Sequence, residues 1–190
     1  MIESTVLILT ILIFLLVMAV VGRAVIRKQK IIGRPPIPVF YFILAKMLVM
    51  VNLAFLLMKG FDISVYTILT PPLYIELIAL AFLLFGITLL FLSTIQLNKD
   101  LIFGLSSSET HRLQTKGLFS ISRHPFYLGF IFILCSSCLF TPNPVNIAAF
   151  PGAWLIHHFI MIKEEQFLEN QYGEEYRQYT KKVKRYLTLK

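Results

Sequence analysis

Long apolar segments, with most charged residues confined to their ends, constrain this chain more than any other feature. Residues 4–21 (extended to 26), 39–58 and 73–97 are each long enough to cross a hydrocarbon core of about 30 Å as a helix. Two further apolar runs follow at 126–140 and 145–162. The chain is 57% hydrophobic and only 15% charged, and a soluble domain of 190 residues cannot bury that much apolar surface. We therefore predict an all-α integral membrane protein with about five transmembrane helices.

The last two apolar runs are predicted to form a helical hairpin. The fourth run, of 15 residues, would span about 22 Å as a helix, which is shorter than a typical hydrocarbon core. The sequence Thr-Pro-Asn-Pro at 141–144 separates it from the fifth run and predicts a tight break.

Lysine and arginine residues predict the orientation. If there are five spans, sixteen of the eighteen basic residues fall on one side of the membrane. Because basic residues concentrate in cytoplasmic loops, we predict an outside amino terminus and a cytoplasmic carboxyl terminus. The first run is expected to remain as a membrane anchor. Two polar stretches, 110–129 and 163–178, then share the cytoplasmic face.

The net charge of +8 does not predict nucleic-acid binding, because the basic residues sit at the ends of apolar segments. Contact with anionic lipid headgroups explains that placement better. Cys135 and Cys138 lie inside an apolar run and cannot supply four ligands, so we expect no metal. A glycine-rich dinucleotide fingerprint does not occur in the sequence.

The carboxyl-terminal tail is predicted to be amphipathic. Leu168, Tyr172, Tyr176, Tyr179 and Val183 recur at helical spacing and form one face. The glycine at position 173 is a predicted break between two helices that lie against the membrane.

One motif is specific. The chain contains, in order, His111, Leu113, Gly117, Phe119, Arg123, His124, Pro125, Tyr127 and Gly129, and later a Glu164-Glu165 pair, Tyr172-Gly173, Tyr176 and Tyr179. This two-part pattern, which covers roughly residues 96–186, resembles the isoprenylcysteine carboxyl methyltransferases and their prokaryotic relatives. Those proteins are integral membrane enzymes that use S-adenosylmethionine.

The resemblance implies S-adenosylmethionine-dependent methylation of the C-terminal carboxylate of a prenylated cysteine. It also implies a lipophilic prenylcysteine-like substrate, contact with membrane lipid, and a cytoplasmic cofactor pocket formed by residues 98–124 and the C-terminal helices. Residues 73–190 would then be the methyltransferase region, and residues 1–72 would contribute the first two spans and their connectors.

The resemblance also implies the site residues. The cofactor-binding candidates are His111, Arg112, Leu113, Gln114, Phe119, His124, Pro125, Phe126, Tyr127 and Glu164. No catalytic residue is certain, and the positioning candidates are Arg123, His158 and Glu165.

Two positions depart from the family pattern. The family commonly has tyrosine where Phe119 stands, and arginine where Ile160 stands, four positions before the first glutamate. Because that arginine is associated with the substrate, its absence leaves the identity of the substrate open.

Other hypotheses remain open at this point. A phospholipid amine N-methyltransferase has a similar terminal pattern, an NADPH-dependent sterol-type reductase is a more distant possibility, and a non-enzymatic transporter subunit belongs to a different class. Lys46, Asn52 and Glu76 lie inside spans, and we predict that they pair with groups on other helices.

Overall fold

A computed structural model describes residues 1–26, 35–97 and 113–188, and all regular structure in those ranges is helical. The helices are α1 (Ile2–Ile26), α2 (Val39–Gly60), α3 (Leu73–Leu97), α4 (Pro125–Phe140), α5 (Pro144–Tyr172) and α6 (Glu174–Lys182), with a short 3₁₀ helix at Gly117–Ser120. Four of them (α1, α2, α3 and α5) are long and apolar enough to cross a membrane, and α4 is a shorter apolar helix. The predicted fold class, an all-α integral membrane protein with about five apolar helices, is confirmed.

Large apolar side chains cover the outside of the helix bundle. Met47 is 62% exposed, Phe85 is 49% exposed and Ile95 is 51% exposed. Apolar surface on this scale is unfavourable in water, at roughly 25 cal/mol per Å². Lipid is therefore the natural surroundings of this surface.

A pair of glycines lets α3 and α4 approach each other closely. A Cβ atom built on Gly86 would lie 2.7 Å from the backbone oxygen of Gly129, and one built on Gly129 would lie 2.8 Å from the oxygen of Gly86. Neither position has room for a side chain, so the two backbones are in direct contact. Small residues allow this kind of packing between membrane helices.

Polar side chains inside the bundle pair between helices, as predicted for Lys46, Asn52 and Glu76. Lys59 Nζ on α2 donates to Glu76 Oε1 on α3 at 2.7 Å. Asn52 Oδ1 on α2 accepts from Cys138 Sγ on α4 at 3.7 Å. Lys46 Nζ lies 3.1 Å from a ring nitrogen of a histidine on α5. In an apolar medium such bonds satisfy groups that have no access to water.

The two ends of the bundle differ. At one end, the loop between α2 and α3 meets the loop between α4 and α5, since Ile68 N donates to Pro142 O at 2.9 Å. The amino terminus lies at this end too, because Lys59 Nζ also contacts Glu3 Oε1 at 3.4 Å. We call this the loop end. The opposite end, which we call the site end, comprises the 3₁₀ helix, the start of α4, the last turns of α5, α6 and residues 184–188.

Helix α5 is longer than predicted. The fifth run was predicted to end at residue 162, but α5 continues to Tyr172. The change from apolar to charged residues ends the apolar run, but it does not end a helix whose backbone hydrogen bonds continue.

The predicted break is confirmed at Gly173, which has a φ of 54°. Beyond it, Tyr176, Tyr179 and Val183 pack with Leu113, Leu168 and Tyr172 in one cluster, so the predicted shared face is confirmed. Tyr176, Tyr179 and Val183 are buried, so this face packs inside the protein, and the predicted contact of the face with the membrane is wrong.

Candidate functional site

The segment that leads into α4 is held from two sides. Leu118 N donates to Gln96 Oε1 near the end of α3 at 3.0 Å, and Tyr179 Oη on α6 donates to Phe119 O at 2.6 Å. Burial raises the pKa of the Tyr179 hydroxyl, which therefore remains a protonated donor at neutral pH. These two bonds fix the start of α4 relative to α3 and α6.

The end of the described chain runs alongside the same segment. Arg123 N donates to Lys184 O at 3.0 Å, and Thr188 N donates to Ile121 O at 2.8 Å. This pairing brings the side chain of Arg185 back to the last turns of α5.

Glu165 is surrounded by cationic and polar groups. Arg185 donates from Nε to Oε1 and from Nη2 to Oε2, both at 2.8 Å. Arg123 Nη2 lies 3.0 Å from Oε1, and His124 Nε2 lies 3.1 Å from the same oxygen. The hydrogen bonds to Glu165 raise the pKa of Arg185. A bidentate arginine–carboxylate pair is strong and directional. Glu165 on α5 therefore holds the start of α4 and the C-terminal segment together.

Glu164 has fewer partners than its neighbour. Tyr127 Oη donates to Glu164 Oε1 at 2.7 Å. Glu164 Oε2 is 3.8 Å from His124 Nδ1, which is too far for a hydrogen bond. The Glu164 side chain is 18% exposed. Within the described residues, Glu164 Oε2 therefore has no hydrogen-bond partner.

The structure brings the two parts of the motif together. Arg123, His124 and Tyr127 contact Glu164 and Glu165 as described above. Other predicted site residues lie around them. Leu113 packs in the cluster with Tyr176 and Tyr179, Gln114 is half-buried, Phe119 is 8% exposed, Pro125 begins α4, and Phe126 packs edge-on against Phe130 with ring centroids 5.1 Å apart. His111 and Arg112 lie outside the described residues.

His158 contacts a different group of residues from the other two positioning candidates. Its Nδ1 lies 2.6 Å from Tyr186 Oη, and the two rings stack with a centroid separation of 5.9 Å. It therefore joins the C-terminal segment to α5. Ile160, at the family's arginine position, is fully buried at 0% exposure, so no charged group stands there.

Sequence reasoning missed two features of the site. Arg185 was counted only as one member of a basic tail, although a carboxylate at the end of an apolar helix requires cationic partners. The pairing of Lys46 with His157 was also missed, because residues 111 positions apart show no relation in sequence spacing.

The known proteins that this chain is similar to are methyltransferases. Residues 74–175 match the model of a family described as phospholipid methyltransferase. Methanethiol S-methyltransferase 1 of Bradyrhizobium diazoefficiens is 33% identical over 123 residues, covering 60% of this chain and 41% of that protein. Protein-S-isoprenylcysteine O-methyltransferase B of Arabidopsis thaliana is 30% identical over 110 residues, covering 52% of this chain and 55% of that protein. Protein-S-isoprenylcysteine O-methyltransferase of Xenopus laevis is 30% identical over 125 residues, covering 64% of this chain and 43% of that protein.

The resemblance to the isoprenylcysteine methyltransferases is thereby confirmed. This chain spans between 41% and 55% of the length of these three relatives. Their similarity to it therefore concerns part of each protein.

Proposed function

Since this chain belongs to the phospholipid methyltransferase family, we propose that it transfers a methyl group from S-adenosylmethionine to the C-terminal carboxylate of a prenylated cysteine. One observation carries the proposal. Tyr127 on α4 and Glu164 on α5 are 37 positions apart in the sequence, yet their side chains are joined by a hydrogen bond of 2.7 Å. The two halves of the motif thus form one polar site at the end of an apolar bundle. Several relatives are named as prenylcysteine O-methyltransferases, which supports this choice of acceptor.

The polar groups of the site fit the proposed cofactor. S-adenosylmethionine presents an ammonium, a carboxylate, ribose hydroxyls and an adenine ring. The free oxygen of Glu164 is suited to accept from the ammonium or from a ribose hydroxyl. Arg123 Nε and Tyr176 Oη are buried without a hydrogen-bond partner in the described parts of the chain. Buried polar atoms usually have a partner, and a polar ligand would supply one.

We assign the site residues accordingly. Glu164 accepts hydrogen bonds from the cofactor, and His124 and Tyr127 contribute the donors around it. Leu113, Gln114 and Phe119 line the adenine or amino-acid end, and the same role stays a prediction for His111 and Arg112, which lie outside the described residues. The methyltransferase region is residues 73–190, a proposal that the family match over 74–175 supports.

The reaction places modest demands on the protein. The acceptor carboxylate is already ionised at neutral pH, so no general base is needed. When bound, the cofactor supplies an electrophilic methyl group on a sulfonium. The residues of the chain hold and orient the reactants and exclude water. The cluster of Glu165, Arg123 and Arg185 fixes the start of α4 against the end of α5, and Tyr127 orients Glu164. Positioning of this kind contributes on the order of 7–11 kcal/mol to lowering a barrier.

The proposal is tested with the full chain in lipid nanodiscs and S-adenosylmethionine that carries a radiolabelled methyl group. N-acetyl-S-farnesylcysteine, phosphatidylethanolamine and methanethiol are offered separately as acceptors. We expect label on farnesylcysteine that is released by mild base, because a methyl ester is base-labile. Base-stable label on phosphatidylethanolamine would assign the chain to amine methylation instead. Absence of cofactor binding would overturn the proposal altogether.

A further inference from the structure

A lysine lies within an apolar helix close to the proposed site. Lys46 is on α2, and its Nζ is 3.1 Å from His157 Nε2. His157 Nδ1 is 2.8 Å from the backbone oxygen of Ala153. A carbonyl oxygen only accepts, so Nδ1 carries the proton and donates, and Nε2 accepts from the lysine. The histidine is therefore neutral and accepts, and the lysine donates.

The carboxylate of Glu164 acts electrostatically on Lys46, but the two groups are farther apart than an ion pair. Arg123 and Arg185 share Glu165 at the site end, but no carboxylate oxygen in the described parts of the chain lies within 4 Å of Lys46 Nζ. Its ammonium also lies 5.1 Å from the centre of the Phe42 ring. An ammonium has three protons to donate, and His157 accepts only one. A cation inside a membrane span is costly and ordinarily marks a partner or a ligand.

An apolar crevice adjoins this pair. The rings of His157 and Tyr127, whose centroids are 5.7 Å apart, line one side of it. The rest is lined by apolar side chains of α2, α4 and α5, among them Val49, Phe130, Leu134, Trp154 and Met161. Tyr127 also donates to Glu164. The cation, the crevice and the proposed cofactor site are therefore contiguous.

We propose that Lys46 binds the carboxylate of the acceptor substrate while the apolar chain of that substrate enters between α2, α4 and α5 at the crevice, whose volume of about 10 Å³ must widen to admit it. This inference rests on the proposed function and names the group that selects the acceptor. A cationic site attracts a carboxylate and gives no such advantage to a neutral thiol or to an ammonium headgroup. The ammonium held by His157 directs its remaining protons to the acceptor, and the carboxylate in turn neutralises a charge in the apolar segment.

The test compares an acidic ligand with its neutral analogue. The affinities of the full chain in nanodiscs for N-acetyl-S-farnesylcysteine and for its carboxamide are measured by thermophoresis, which does not depend on turnover. The variants are Lys46→Met, which keeps the apolar stem, and Lys46→Gln, which keeps a donor to His157 without a charge. Lys46→Arg retains the charge, and Lys181→Met removes a charge from the exposed surface of α6.

We expect the wild type and Lys181→Met to bind the acid more tightly than the amide. Lys46→Met and Lys46→Gln should weaken binding of the acid about 10- to 100-fold, the usual effect of losing a hydrogen bond to a charged group, and leave binding of the amide unchanged. Lys46→Arg should restore part of the preference. Equal loss for acid and amide, or no loss for either, would overturn the inference.

The binding assay also separates this inference from the proposed function. If the wild type prefers the acid through Lys46 but does not methylate it, the role of Lys46 is supported and the proposed reaction is wrong. If Lys46→Met methylates the acid with an unchanged KM, the proposed reaction is supported and the role of the lysine is overturned.

Discussion

Glu164 and Glu165 are adjacent in sequence but have different surroundings. Glu165 is contacted by two arginines and a histidine, whereas Glu164 has one hydrogen bond, from Tyr127, within the described residues. Carboxylates at positions i and i+1 of a helix project in directions about 100° apart. One of them therefore reaches the C-terminal segment, and the other turns towards the start of α4 and the crevice. This difference supports a structural role for Glu165 and the proposed ligand-binding role for Glu164.

Replacing each glutamate by glutamine should have a different effect. Glu165→Gln leaves Arg123 and Arg185 without their shared carboxylate, so we expect a loss of about 3 kcal/mol in stability, typical of breaking a mostly buried ion pair. Glu164→Gln should lower affinity for S-adenosylmethionine about tenfold or more and leave the melting temperature within a few degrees of wild type. Melting curves and radioligand binding measure the two effects. The reverse pattern would contradict the assignment.

The sequence identifies the residues of the site better than it identifies their pairing. The motif includes His124, Tyr127 and Glu164 because it is defined by residue types at fixed spacing. It does not reveal that Arg185 shares Glu165 with Arg123, since that contact depends on how the last residues fold back. Pairings across long sequence distances require the positions of whole elements.

At the scale of elements, the C-terminal segment is part of the site although it is neither a helix nor a strand. Its backbone pairs with the segment before α4, and it supplies Arg185 and Tyr186. Backbone N–H and C=O groups that are shielded from water need a protein partner, and this pairing supplies one. The segment therefore holds the site in place and does not simply extend the chain.

Deleting residues 184–190 tests that role. The deletion removes Arg185 and the backbone pairing with Ile121 and Arg123, so we expect affinity for S-adenosylmethionine to fall about tenfold or more, while the helical content of α1–α5 is kept. Radioligand binding and circular dichroism provide the measurements. Deletion of residues 189–190 alone is the matched control and should bind as the full chain does. Unchanged affinity after the longer deletion would show that the segment is dispensable.

The contact between α3 and α4 depends on two glycines. A Cβ on residue 129 would lie 2.8 Å from Gly86 O, closer than carbon and oxygen atoms normally approach, so the helices must separate. We expect Gly129→Ala to destabilise the protein by about 1–3 kcal/mol, as overpacked sites do. Gly22→Ala is the control, because a Cβ there meets nothing within 4 Å and alanine favours helix. A melting temperature that falls equally in both variants would contradict the proposed close packing.

The apolar periodicity predicts the existence of the helices, but it does not predict all their ends or their packing. Helix α3 has the predicted bounds and α4 begins one residue early, because proline and charge mark those ends. Helix α5 extends ten residues past the predicted position 162, because no glycine or proline lies between positions 162 and 173. A glycine inside an apolar run does not indicate which residue it packs against, so the sequence did not predict the contact of Gly86 with Gly129.

For the whole molecule, the distribution of basic residues gives an orientation prediction. Arg123, Arg185 and the lysines of α6 lie at the site end, whereas Lys59 at the loop end is paired with Glu3 and Glu76. Basic residues are retained on the cytoplasmic side, so we expect the site end to face the cytoplasm. A fusion of green fluorescent protein after Lys190 should fluoresce, and alkaline phosphatase at that point should be inactive. Phosphatase fused after Ser64, in the loop between α2 and α3, should be active.

The reverse result would reach beyond topology. S-adenosylmethionine is charged and does not cross a hydrocarbon core unaided, because transferring an unpaired ion into it is strongly unfavourable. The cofactor must therefore enter from the compartment that contains it, through the polar end of the bundle. A phosphatase that is active after Lys190 and inactive after Ser64 would place Glu164 on the side without cofactor. It would then contradict the orientation and the proposed methyl transfer together, even if the purified protein still bound S-adenosylmethionine.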